Sequence, residues 1–361
     1  MLTLYRKRQL RRKLKRRILK QNPKEEDSVQ AHVHALIASF EENQLENLFL
    51  ALDSRGCDSA PCVQLSPEHQ LDPSFMKQSH EIMVCKAFQW PDLENMSQLC
   101  LMPYCESPQS NHICLNPYHY SKYIDLPFTS MHLCHLENPS DLEHVNLCKD
   151  YPSETETGLS SIFSSKSENQ LIETHRSPYS AVMTRSRSSI WCTLAYWEER
   201  DRVGRLYPVK HNFVNVFDQS PKGEGFCLSA VSSQTSRSAK VRRLIGHGVT
   251  IGIDPTLQEA SLYNRSDYPV FVNSPVLEPI PSRSQLVHKV LPGECCRIFS
   301  HEVAADLKRL HSHHVTRTGP YNPYTVRISF VKGWGGNTYR RQVITSCPCW
   351  LEILFNPSQH S

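Results

Sequence analysis

Residues 57–119 hold six cysteines, Cys57, Cys62, Cys85, Cys100, Cys105 and Cys114, followed by His119. Cys114 and His119 fall in the run CLNPYHY with four residues between them, so one thiolate and one imidazole can reach the same tetrahedral ion. Two more thiolates must then come from upstream. Four protein ligands leave no open position, so the chemistry is structural rather than catalytic. A second group lies in SFVKGWGGNTYRRQVITSCPCWLEIL, residues 329–354, where Lys332, Trp334, Tyr339, Arg340 and Arg341 share a Gly-rich turn. Glycines allow the backbone of a protruding loop, and clustered cations make it a place for anions. The third group is the opening block, residues 1–20, with ten Lys or Arg and no acid in a chain of net charge +4. The remainder is therefore net negative. Arg6, Lys7, Arg8, Arg11, Arg12, Lys13, Lys15, Arg16 and Arg17 are candidates for a nuclear import signal, for contact with nucleic acid or anionic lipid, or for a solvated tail.

The elements that position these groups divide in two. At 361 residues the chain has room for about two domains, and its 24 prolines indicate linker. It contains no run of eighteen apolar residues and no signal-peptide core, so a cytosolic start and reduced cysteines are expected. From Val29 to Leu52 apolar residues recur at helical spacing, reading as one helix or as two separated near Asn43. Residues 123–189 are polar and Ser-rich, which reads as a flexible linker. From Ile190 onward short β-branched runs alternate with Gly, Pro, Asn and Asp, the pattern of a β-sandwich. The run WCTLAYWEERDRVGRLYPV is expected to break at Gly204. Strands over Tyr324–Phe330 and Gln342–Leu354 are expected to frame the cationic turn. One helix, HEVAADLKRLHSHH, interrupts them with Ser300 as candidate N-cap, and its His311, His313 and His314 read as a solvated end. No nucleophile elbow, P-loop or HExxH occurs, which points to a binding module rather than an enzyme.

The runs WCTLAYWEERDRVGRLY, GFCLSAV, VRRLIGHGVTIGID, YPVFVNSP, VRISFVKGWGGNTYRRQ and ITSCPCWLEI closely resemble the MH2 domain of Smad proteins. FQWPDL and CLNPYHY resemble the MH1 domain. LENLFLALDSRG, ITSCPCWLEIL and the basic opening resemble the inhibitory Smads. The resemblance implies a mainly β chain with helices: a basic tail (1–27), a small zinc-containing α+β MH1-like domain (28–122), a Ser-rich linker (123–189) and an MH2 β-sandwich (190–358), FHA-like, with helical-bundle and loop–helix caps. It implies one zinc ion on Cys62, Cys105, Cys114 and His119, with Cys100 the rival to Cys105. It also implies a surface for phosphorylated type I TGF-β/BMP-family receptor kinases, supplied by Arg297, Lys332, Tyr339, Arg340 and Arg341. Clustered guanidinium and ammonium groups suit a phosphate.

The function so implied is antagonism: occupying activated type I receptors in cytoplasm and nucleus, blocking phosphorylation of receptor-activated Smads, and sequestering these or the common partner. The sequence ends SQHS without the Ser-Ser-x-Ser of receptor-activated relatives, so activation by that route is not expected. The turn carries an extra residue within GGNT, and Leu244 stands where some relatives place histidine. The DNA-reading hairpin expected near Leu65–His80 offers Lys77 but few other donors, and major-groove readout needs several on a rigid ribbon. DNA-binding transcriptional regulation through the MH1-like domain is therefore the alternative reading. Arg176 and Ser177 precede Pro178 where ubiquitin-ligase recruitment needs PPxY.

Overall fold

The computed structural model describes residues 2–20, 26–56, 61–66, 79–110, 112–126, 190–218, 225–232, 236–278, 286–313, 322–335 and 339–357. Cys57, most of the expected DNA-reading hairpin, the Ser-rich linker beyond residue 126, residues 336–338 of GGNT, His314 and the SQHS end lie outside them.

The opening cationic block is not a tail. It forms α1 (Leu2–Lys15), and Leu10, Leu14 and Ile18, at i, i+4 and i+8, pack on the N-terminal core, with Leu14 0% exposed. The density of Lys and Arg hides this stripe in the sequence. α2 (Glu26–Ser39) and α3 (Glu42–Ser54) follow, the break falling at Phe40–Glu41 rather than near Asn43. There the Glu41 N–H donates to Gln44 Oε1 at 2.8 Å, satisfying one of the donors that a helix start leaves open. Cations of α1 then meet acids at the head of α3: Arg6 pairs with Glu42 and Glu46, and Lys7 with Glu41. β1 (Gln64–Leu65), α4 (His80–Phe88), β2 (Leu99–Leu101), β3 (Ile113–Cys114) and β4 (Tyr120–Tyr123) complete the unit, with β1 paired to β3 and β2 to β4.

Inside this unit His32 of α2 is 0% exposed, with Nε2 2.9 Å from His80 Nδ1. Burial, and then the neighbouring imidazole, lower its pKa from 6.5 to about 4. Above pH 6.5 both folded and unfolded forms are neutral. As pH falls through 6.5 the unfolded chain takes up a proton that the folded chain refuses, so stability is lost between 6.5 and 4, by about 3 kcal/mol in full. A His32→Gln chain is expected to lose less stability than the parent across that window in parallel melts; identical slopes would refute the assignment.

The C-terminal strands are β5 (Cys192–Glu198), β6 (Asp201–Val209), β7 (Phe213–Phe217), β8 (Phe226–Cys227), β9 (Val249–Asp254), β10 (Glu259–Asn264), β11 (Val270–Asn273), β12 (His288–Val290), β13 (Glu294–Ser300), β14 (Thr325–Phe330) and β15 (Trp350–Phe355). Between them lie α5 (Leu228–Val231), α6 (Ala239–Arg243) and α7 (His301–His313), the last starting directly after Ser300. One sheet runs β12-β11-β14-β15-β5-β6; the other runs β2-β4-β13-β10-β9-β7-β8. Alternate residues such as Leu194, Val216, Ile251, Leu262, Ile298, Ile328 and Leu351, all 0% exposed, fill the space between them.

Three strand expectations change. β6 continues through Gly204, and the irregularity appears instead as a register shift between Leu194 and Tyr196. GFCLSAV holds only the short β8 before turning helical. The second arm of the cationic hairpin begins at Trp350, because Ile344–Ser346 form a 3-10 turn and Pro348 follows.

The second sheet joins both units. β4 adds in parallel to β13, pairing Lys122 with Glu294 and Tyr123 with Cys295. Backbone N–H groups of Lys122 and Ile124 donate to the carbonyls of Gly293 and Cys295, each at 2.9 Å. Pro103 sits where a Cβ on Gly252 would come within 2.9 Å, so only glycine admits this approach.

Candidate metal centre and basic loop

Four ligand-bearing residues converge from four places in the N-terminal unit. Cys62 precedes β1, Cys105 follows β2, Cys114 ends β3, and His119 closes the 3-10 turn Pro117–His119. That turn is set by Asn116, whose Oδ1 accepts from the Tyr118 N–H at 3.0 Å, and by Pro117 at its start. The ligand atoms all lie within 4.8 Å of one another. Cys62 Sγ is 3.7 Å from Cys105 Sγ and 3.4 Å from His119 Nδ1, and Cys114 Sγ is 3.5 Å from the same nitrogen.

These spacings match an ionic tetrahedron. With Zn–S of about 2.3 Å and Zn–N of about 2.1 Å, the S···S edge is about 3.8 Å and the S···N edge about 3.6 Å. The titration behaviour agrees. Burial opposes a charge on His119, but the Cys105 and Cys62 thiols outweigh it and raise its pKa to about 9. Hydrogen bonds from Cys105 and Cys114 drive Cys62 down, while Cys105 and Cys62 drive Cys114 up. Such a cluster must share protons, because adjacent thiolates repel, and a divalent cation replaces those protons. The set could therefore hold a metal ion. Cys100 is not part of it: on β2 its side chain turns to Cys295 of β13.

Tyr104, next to Cys105, places its ring edge-on to His119 with centroids 5.4 Å apart. Its hydroxyl donates to the Tyr118 carbonyl at 3.4 Å, while on the sandwich side it meets Phe213 at 6.4 Å and the Arg265 guanidinium at 5.3 Å from the ring. Sequence reading missed Tyr104, since nothing local distinguishes one tyrosine in CLMPYCES as the bridge between two units.

The cationic loop joins β14 to β15 and rests on a small core of Phe271, Trp334, Ile344, Cys347 and Trp350. Trp334 is 0% exposed, so it anchors the loop and cannot itself meet a partner. Tyr339 packs edge-on to Phe271, and a Cβ on Gly333 would come within 2.6 Å of its ring. The Gly335 N–H donates to the Arg341 carbonyl at 2.8 Å, and Arg341 Nε donates to the Ser346 carbonyl at 3.0 Å. Arg341 thus orders the loop, while Lys332 and Arg340 stand exposed.

Arg297 is not grouped with them. It lies on β13, in the other sheet, where Nη1 donates to both Glu259 carboxylate oxygens at 3.0 and 3.2 Å. Burial works against its charge, but Glu259 and then Tyr123 of β4 favour it and raise the pKa. Of the import candidates, Arg11 donates to the carbonyls of Ile37, Ala38 and Phe40, and Arg17 pairs with Asp53. Lys13 and Arg17 lie over the Phe49 ring. Arg8, Arg12, Lys15 and Arg16 are exposed.

Comparison with known proteins covers nearly all of this architecture. The MH1 domain family matches residues 29–124 and the MH2 domain family residues 189–356. Mothers against decapentaplegic homolog 7 of Mus musculus is 35% identical, over 92% of this chain and 79% of its own length. The Homo sapiens homolog 7 gives the same figures, and homolog 6 of Gallus gallus is 36% identical over 92% of this chain and 76% of its own.

Proposed function

The chain belongs to the Smad family as an inhibitory Smad, and on that premise we propose that its exposed loop cations capture the phosphorylated segment of an activated type I TGF-β/BMP-family receptor. Occupancy of the receptor would deny it to receptor-activated Smads, and the sandwich faces would also sequester those proteins or their common partner. The supporting observation is the loop itself: Lys332 and Arg340 project from a backbone fixed by buried Trp334 and by the Arg341–Ser346 hydrogen bond. A backbone so held cuts the loop's ordering cost when its cations meet a phosphate of charge near −2.

Smad-family chains are signalling and transcription regulators rather than enzymes. In the N-terminal unit we assign zinc to Cys62, Cys105, Cys114 and His119, where it would cross-link β1 and β3 to the turn after β2. Work in both cytoplasm and nucleus follows from the receptor role and the basic block. Most of the expected DNA-reading hairpin lies outside the described residues, so DNA-binding regulation stays the alternative reading.

The test is a pull-down of the full chain with phosphorylated and unphosphorylated receptor kinase domain. Lys332→Ala/Arg340→Ala is expected to weaken capture of the phosphorylated form by about 10- to 100-fold, since each charge-assisted hydrogen bond contributes about 1.5–3 kcal/mol before solvent screening. Arg341→Ala should weaken it while also loosening the loop. Equal capture of both receptor forms by parent and variants would sink the mechanism.

A further inference from the structure

Arg8, Arg12 and Lys15 of α1, and Arg16 in the turn directly after it, lie on the side that turns away from the core, at i, i+4, i+7 and i+8. The side toward the core carries Leu10, Leu14 and Ile18, with Arg6, Lys7, Arg11 and Arg17 held by acids or carbonyls. Among the described residues no acid pairs with the four outward cations. Like charges at i, i+4 cost helix stability, and Arg8 and Arg12 impose that cost within α1. Among the described residues no ion pair offsets it. Leu4 and Tyr5 share this side of the helix and are 74% and 64% exposed.

We propose that this face of α1 docks peripherally on an anionic phospholipid surface. From Arg8 to Arg16 the row spans about 12 Å at the helical rise, long enough for several headgroups. Guanidinium groups grip phosphates, and Leu4 and Tyr5 enter the boundary between headgroup and acyl chain. A nucleic-acid backbone would use the same cations but give Leu4 and Tyr5 nothing to bury, so the lipid surface is the better match. The helix does not insert, because its Leu10–Leu14–Ile18 stripe is already spent on the core. No helix among the described residues is long and apolar enough to cross a membrane. This inference stands on α1 alone and is independent of the receptor reading.

The experiment is sedimentation of the full chain with vesicles of phosphatidylcholine, with or without phosphatidylserine, at low and high salt. Binding is expected only with phosphatidylserine and is expected to fall as salt rises. Arg8→Gln/Arg12→Gln/Lys15→Gln/Arg16→Gln should lose about a thousandfold in affinity while melting no lower than the parent, and Leu4→Ser/Tyr5→Ser should lose about fivefold. Equal binding to both vesicle types, or full binding by the quadruple variant, overturns the proposal. A random DNA duplex bound more tightly than phosphatidylserine vesicles at the same salt overturns it as well, in favour of nucleic acid.

Discussion

Replacing Cys114 by Ser together with His119 by Ala is expected to remove about one equivalent of zinc per chain and to loosen the metal-bearing strands of the N-terminal unit while the sandwich survives. The reason is the thinness of the elements that the four ligands join. β1 and β3 are two residues each and pair only with one another, and β2 is three residues long. Strands so short supply too few hydrogen bonds to hold register alone. A structural zinc in finger peptides contributes about 10–16 kcal/mol of folding free energy at neutral pH. Here the helical core of Val33, Leu36, Leu45 and Leu48 remains, so the loss should be a loosening of residues 61–66 and 99–123 before α2 and α3 unravel. Elemental analysis with limited proteolysis reads both effects. Cys105→Ser should behave like the double variant and Cys100→Ser like the parent. A metal-free parent with the same melting curve would defeat the assignment.

What the sequence disclosed and what it withheld divide along local and long-range physics. CLNPYHY marked Cys114 and His119 as candidate ligands because Pro117 and Asn116 fix the turn within one segment. The choice of Cys105 over Cys100 needed tertiary structure: five residues apart, the two thiols face opposite units, and the resemblance rather than the spacing favoured the former. α7 was legible from Ser300 onward through ordinary helix periodicity. α1 was not, because three apolar residues among ten cations read as solvated chain until α3 supplied Glu42, Glu46 and Asp53 opposite them. The extent of β15 was overestimated because Val343 and Ile344 carry β propensity, yet the SCPC run and a 3-10 turn hold that stretch outside the ladder.

Least legible of all was the joining of β4 to β13, which brings Tyr123 to Arg297 and Pro103 to Gly252 across the intervening linker. Backbone pairing carries no side-chain signature of its partner when the edge is this short. Arg297 was therefore grouped by resemblance with the loop, although the fold uses its guanidinium between Glu259 and Tyr123. Lys332 and Arg340 on the loop and the four cations on the α1 side are exposed, and among the described residues no acid pairs with them.

Arg242→Met is expected to destabilise the sandwich by about 3–5 kcal/mol, because it strips the cation from a buried ion cluster and leaves two carboxylates behind. Arg242 of α6 is 1% exposed. Its Nη1 donates to Glu198 Oε1 at 2.6 Å and its Nε to Asp218 Oδ1 at 3.2 Å. Glu198 ends β5 in one sheet and Asp218 follows β7 in the other, so this one side chain ties the two layers together. Tyr196 and Ser236 donate to the Glu198 carboxylate, which completes its hydrogen bonding. Burial already pushes the Asp218 carboxyl above its ordinary range, with Arg242 pulling the other way. Without Arg242 that opposing pull is gone, so the folded variant binds protons more readily than the unfolded chain, and its penalty should shrink as pH falls. Four of the five tryptophans, Trp191, Trp197, Trp334 and Trp350, lie in the sandwich, so their fluorescence follows its denaturant unfolding in the full chain. Adding Glu198→Gln and Asp218→Asn to Arg242→Met should recover part of the loss, since neutral amides replace stranded charges. If Arg242→Met unfolds at the parent's midpoint, or its penalty grows toward low pH, the cluster does not hold the sheets in the way its geometry indicates.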